Sequence, residues 1–129
     1  MRLFFDNNLS PRIARGLHAL TQPDHQVVHL KERFAANTPD VVWMRALAGE
    51  EGWIIVSGDL QIRKNPHEIR AWQEAGHTTF FLKKSWMDLT FWEQAWKFAK
   101  VFPDLLETAK RAKSGSVFYL TPNGKIEPG

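Results

Sequence analysis

The chain has 129 residues, 43% of them hydrophobic and 24% charged, the size and balance of one folded domain rather than of a disordered segment. It contains no cysteine, which excludes disulfides and thiolate metal sites, and no apolar run nears the roughly 20 residues needed to cross a bilayer. Seventeen Lys and Arg against 14 Asp and Glu leave a net charge of +3, which permits a polyanionic partner without requiring one.

In chain order, a short apolar run at residues 3–5 meets Asp6, Asn7 and Asn8 almost at once. It reads as a first strand and not as a secretion signal, so a cytoplasmic protein with no membrane association is expected. The runs QVVHL at 26–30, WIIVS at 53–57, TTFFL at 78–82 and SVFYL at 116–120 read as further strands. They are apolar on both faces and separated by helix-length segments, the pattern of a parallel sheet covered on each side.

Helix starts are written as a capping residue followed by proline: Ser10-Pro11, Thr38-Pro39 and Asn65-Pro66. Asn65 and Glu68 have capping-box spacing, and Gly52 and Gly76 stand where the second and third of these helices should end. A longer helix is expected from Asp88, as its cap, to about residue 113. Its apolar positions Leu89, Trp92, Ala95, Trp96, Ala99 and Phe102 keep helical spacing, and Pro103 should end or kink it. The tail TPNGKIEPG is turn-rich and expected to fray. The expected architecture is a single domain over residues 1–129. It is a three-layer α/β/α sandwich with a mostly parallel sheet of four to five strands, a core over about 1–86 and a C-terminal helical extension over about 88–113.

Open sheets of this kind bind ligands outside the carboxyl ends of their strands, where strand order reverses. Asp6 ends the first strand, Ser57-Gly58-Asp59 ends the third, and Asp40 opens the helix that begins near Pro39. If the first and third strands flank the reversal, Asp6 and Asp59 meet, and Asp40 joins them if its helix starts at that edge. Converging carboxylates repel one another and call for a cation, and hard oxygen donors suit Mg²⁺ or Mn²⁺. Each acid also has a plain structural role, as a turn residue, a cap or a complement to a helix dipole.

Around the acids, Asn7 and Ser57 are candidates for supporting the site, as is Glu68 beside its capping role. Arg12, Arg63, Lys64 and Lys83 are candidates for meeting phosphates, with Arg15 and Lys84 as possible extensions of that surface, against the alternative of solvated charge. The five histidines, at 18, 25, 29, 67 and 77, show no ligand-like pairing and read as core or surface residues. Trp86, Trp92 and Trp96 either stack on bases or pack the long helix onto the sheet or a second subunit.

FFDNNLSPRIARGL, the TPD-headed second helix, EEGWIIVSGDLQIRKNP and GHTTFFLKKSW together resemble the PIN-like family that includes VapC-type toxins, over roughly residues 1–86. The resemblance implies an acidic Mg²⁺ or Mn²⁺ site that hydrolyses RNA phosphodiester bonds. Asp6 stands for the family's first-strand aspartate, Asp59 for the aspartate after the later strand, and Asp40 for the helix-borne acid. It also implies the toxin of a toxin-antitoxin pair, blocked by a small antitoxin protein, and a homodimer. The family's fourth acid has no firm counterpart here, Glu68 being the nearest candidate. Two other readings compete: a catalytically inactive PIN-like module that binds RNA or protein, and a receiver-like phosphoacceptor domain, which Asp6, Asp59 and Lys83 imitate loosely.

Overall fold

The computed structural model describes residues 1–58 and 65–129. Its strands are β1 (Arg2–Phe5), β2 (Gln26–His29), β3 (Trp53–Ser57), β4 (Thr78–Leu82), β5 (Val117–Leu120) and β6 (Ile126–Pro128). Its helices are α1 (Pro11–Thr21), α2 (Leu30–Arg33), α3 (Asp40–Ala48), α4 (Pro66–Glu74) and α5 (Phe91–Arg111), with a 3-10 turn at Lys84–Asp88.

The strands form one sheet in the order β2-β1-β3-β4-β5-β6, parallel from β2 to β5, with β6 antiparallel to β5. The chain leaves β1 for β2 on one side and returns to β3 on the other. The reversal of strand order therefore falls between β1 and β3, as a site bounded by Asp6 and Ser57 requires.

Alternation along the strands builds the two faces. Leu3, Phe5, Ile54, Val56, Phe80 and Leu82 join Ile13, Leu17, Phe98 and Leu105, so α1 and α5 cover one face. Phe4, Trp53, Ile55 and Phe81 join Trp43, Met44, Leu47 and Trp72, so α3 and α4 cover the other. This is the expected three-layer sandwich. Burying an aromatic or large aliphatic side chain is worth about 1.5–3 kcal/mol, and the strands of the interior are almost wholly built from such residues.

The helix starts follow the proline signals. The Ser10 hydroxyl accepts from the Arg12 N–H at 3.2 Å, α3 begins one residue after Pro39, and α4 begins at Pro66. The capping box expected at Asn65 and Glu68 does not form, since Asn65 makes no side-chain cap bond and Glu68 turns to Arg45 of α3 instead. A capping box does open α5, at Thr90 and Glu93 rather than at Asp88. Pro103 does not end α5, which runs on through it. Both Pro103 and Ala99, whose carbonyl loses its helical donor there, lie on the exposed side, where water can replace the missing bond.

The tail does not fray. Residues 121–125 form a turn in which the Thr121 hydroxyl accepts the Lys125 N–H at 3.0 Å, and Gly124, at φ 91°, takes the left-handed conformation the turn needs. β6 then pairs with β5 and gives the sheet a sixth strand. Nor do the three tryptophans act together: Trp86 is buried, whereas Trp92 and Trp96 are 76% and 54% exposed, so neither packs α5 onto the sheet. No helix among the described residues is long and apolar enough to cross a membrane.

Candidate active site at the carboxyl edge

Asp6 follows β1 and is only 2% exposed. Its Oδ2 accepts from the Ser57 hydroxyl at 2.5 Å, and its Oδ1 accepts from the backbone N–H groups of Asn8 at 3.0 Å and Gly58 at 3.4 Å. The Asp6 N–H in turn donates to the Val56 carbonyl at 3.2 Å. Burying a carboxylate without such partners would cost several kcal/mol. The ends of β1 and β3 thus hold the acid rigidly across the reversal of strand order.

Gly58 is part of that cradle. A Cβ there would sit 3.0 Å from Met87 Cε and 3.3 Å from Asn8 Cβ, so a side chain would push on both the loop after β1 and the turn after β4. The loop after β1 is fixed from a third side by His29, a buried residue at the end of β2 whose Nε2 lies 2.7 Å from the Leu9 carbonyl. His29 Nδ1 accepts from the Lys31 N–H at 3.1 Å, which assigns the ring proton to Nε2. Burial holds this imidazole below its ordinary value.

Asn7 points outward and donates from Nδ2 to the Ala36 carbonyl at 3.1 Å. That bond ties the loop after β1 to the segment leading into α3, so α3 starts at the carboxyl edge and Asp40 stands on that side of the sheet. Asp40 is half-buried, and its Oδ1 accepts from the indole N–H of buried Trp43 at 3.2 Å. This gives the acid a structural task whatever else it does. Glu68, its side chain 11% exposed, pairs with Arg45 at 3.2 Å.

Asp59, Arg63 and Lys64 lie outside the described residues. Among the described residues no group of three or more His, Asp or Glu stands together in a way that would hold an ion. Of the expected phosphate contacts, Arg12 is exposed with its guanidinium 4.2 Å over the Phe91 ring. Lys83 lies 3.8 Å from Glu127 of β6 and 5.4 Å over the Tyr119 ring.

A family model described as PIN like domain matches residues 1–84. The chain belongs to the PIN-like domain family. The matched span runs from β1 through β4 and includes Asp6, Asp40 and Ser57, while α5, β5 and β6 lie beyond it. Neither the curated proteins nor the solved structures give a match to the chain. PIN-like domains are commonly nucleases, and the α/β architecture here is consistent with that fold.

Sequence reasoning named Asp6 and Ser57 but not the Gly58 and Asn8 amides or His29. The amides carry no side-chain signature, although the Ser-Gly pair at the end of β3 hinted at a close backbone approach. His29 ends an apolar strand and looks like any core residue until its partners are known.

Proposed function

We propose that this PIN-like domain is a metal-dependent endoribonuclease that hydrolyses RNA phosphodiester bonds at the carboxyl edge between β1 and β3. One observation carries the reading: a buried carboxylate, Asp6, is held by Ser57 and the Gly58 amide at the point where strand order reverses. A buried acid at that position is costly to keep for structure alone.

The donor set fits a hard divalent cation. Asp6 and Ser57 offer oxygen, as do Asp40 and Asp59 in the assignment made from the sequence, and His29, which holds the loop that carries Asp6, is committed to the fold. Mg²⁺ or Mn²⁺ suits such donors and, when bound, neutralises phosphate charge and favours attack by water. Ser57 and the Gly58 N–H orient the Asp6 carboxylate. Asn7 joins the Asp6 loop to the approach of α3 and so sets where Asp40 stands. Arg63 and Lys64, with Arg12 and Lys83, are assigned to the phosphates of the substrate strand. A small antitoxin protein, a second copy of the chain and a cytoplasmic setting complete the proposal, in which the domain is the toxin of a pair.

The test is cleavage of end-labelled RNA with Mg²⁺ or Mn²⁺ and with EDTA, by the wild type and by Asp6→Asn and Asp59→Asn. Metal-dependent cutting lost in both variants supports the assignment, and cutting by either variant at the wild-type rate overturns it. A small reading frame beside the gene, whose product suppresses the cutting, would support the toxin role.

A second reading has its own observation. Both Asp6 oxygens already hold internal donors and Asp40 holds an indole, so the acids can serve a binding module that cuts nothing. Titration of Mn²⁺ into the purified protein separates the two: heat and a raised Tm support the nuclease, and neither supports the module.

A further inference from the structure

Between the first half of α5 and the turn that follows β5 lies a cavity of about 330 Å³, at the small end of ligand sites. Its wall is built by Trp96, whose indole is exposed, with Lys97, Lys100, Asp104 and Asn123. The Lys97 Nζ stands 5.4 Å over the Trp96 ring. Asn123 spends its Oδ1 inside the turn, accepting from the Thr121 hydroxyl and from the Lys125 N–H, which leaves its Nδ2 hydrogens for a ligand. A flat aromatic face flanked by cations, beside one amide donor and one carboxylate acceptor, matches a nucleotide: a base to stack, a phosphate to neutralise and a polar base edge to bond.

The cavity also stands on the right side of the molecule. Leu120 ends β5 at the carboxyl edge, in register with Leu82 of β4, so the turn at 121–125 projects from the same edge as Asp6. β4 alone separates β5 from β3, which sets the strand ends of β3 and β5 roughly 10 Å apart. We propose that this cavity is an accessory subsite for single-stranded RNA, in which Trp96 stacks on a base while Lys97 and Lys100 meet the phosphates of the strand that runs to Asp6. The inference rests on the nuclease reading for the strand's destination, and the residues involved lie outside the span matched to the family.

The test is fluorescence anisotropy of a labelled short single-stranded RNA with the full chain in EDTA, so that binding is read apart from cutting. Trp96 is a surface residue, and its substitution should leave the circular dichroism unchanged. Trp96→Ala should weaken binding about tenfold, the loss of one stacked base, and Trp96→Phe should retain most of the affinity. Lys97→Ala with Lys100→Ala should flatten the dependence of log affinity on log salt by about 1.4. Equal affinity for wild type and Trp96→Ala overturns the subsite, as does AMP binding as tightly as the RNA, which would make the cavity a mononucleotide site. Trp96-dependent binding without any metal-dependent cleavage upholds the subsite and sinks the nuclease. Cleavage with no contribution from Trp96 does the reverse, and no RNA binding at all removes both.

Discussion

Each edge of the sheet buries an imidazole in the same way. At the amino edge His77 precedes β4, with its Nε2 2.6 Å from the Leu47 carbonyl at the end of α3 and its Nδ1 accepting from the Trp53 N–H at 3.1 Å. At the carboxyl edge His29 makes the matching pair of bonds to Leu9 and Lys31. Both rings are fully buried, and that burial holds both below the ordinary imidazole value. The edges part company at Asp6, the one buried carboxylate among the described residues. The charges around the amino edge, Arg2, Glu50 and Arg33, stay partly in water, and it is the buried carboxylate at the other edge on which the nuclease reading rests.

The difference is broken most severely at the acid itself. Asp6→Ala should lower cleavage by about a hundredfold or more. It also removes an acceptor from the Ser57 hydroxyl and from two backbone donors, at a further cost of about 1–3 kcal/mol in denaturant unfolding. Because the same donors lose a charged acceptor, Asp6→Asn should destabilise the metal-free protein. His77→Ala should cost about 2–4 kcal/mol, through a cavity and two unpaired backbone groups, with cleavage per folded molecule unchanged. His29→Ala should cost as much and lower cleavage as well, because it releases the loop that carries Asp6. Equal cleavage by the two histidine variants would erase the functional distinction between the edges.

Acid sharpens the same comparison. The two imidazoles are held below 6.5 in the folded chain, so below about that pH the unfolded chain binds more protons. Stability present above pH 6.5 should then decline as pH falls, and His29→Gln with His77→Gln should flatten the decline in urea titrations at stepped pH. Gly58→Ala should cost about 1–3 kcal/mol by crowding Met87 and Asn8, measurable as a lower Tm. The smallest effect belongs to Arg45→Ala, since its partner Glu68 is well covered but Arg45 itself is 72% exposed. Less than about 1 kcal/mol is expected in the same assay.

Much of the fold is legible along the chain because strands and helix starts are set locally. β-branched and aromatic runs bounded by polar residues gave five strands, and a capping residue before proline gave three helices. The misses came where distant residues decide. The tail forms β6 because β5 offers an unpaired edge, which no window of eight residues reveals. Pro103 is tolerated because its unbonded partner faces solvent, a fact about burial and not about propensity. Thr90 won the cap over Asp88 because Glu93 completes the reciprocal bond. At the site, Asp6 and Ser57 stood out as polar residues closing apolar strands. The amides of Asn8 and Gly58 did not, because a backbone group becomes part of a site only when two strand ends are brought together.

The way His29 is held has one more consequence. An imidazole is the natural lure for zinc, copper and nickel, ions that would outcompete harder ones for a nitrogen within reach. Here His29, which holds the loop that carries Asp6, has given both nitrogens to the backbone. On the nuclease reading, an imidazole so engaged offers no nitrogen to a softer ion, which suits a site for Mg²⁺ or Mn²⁺.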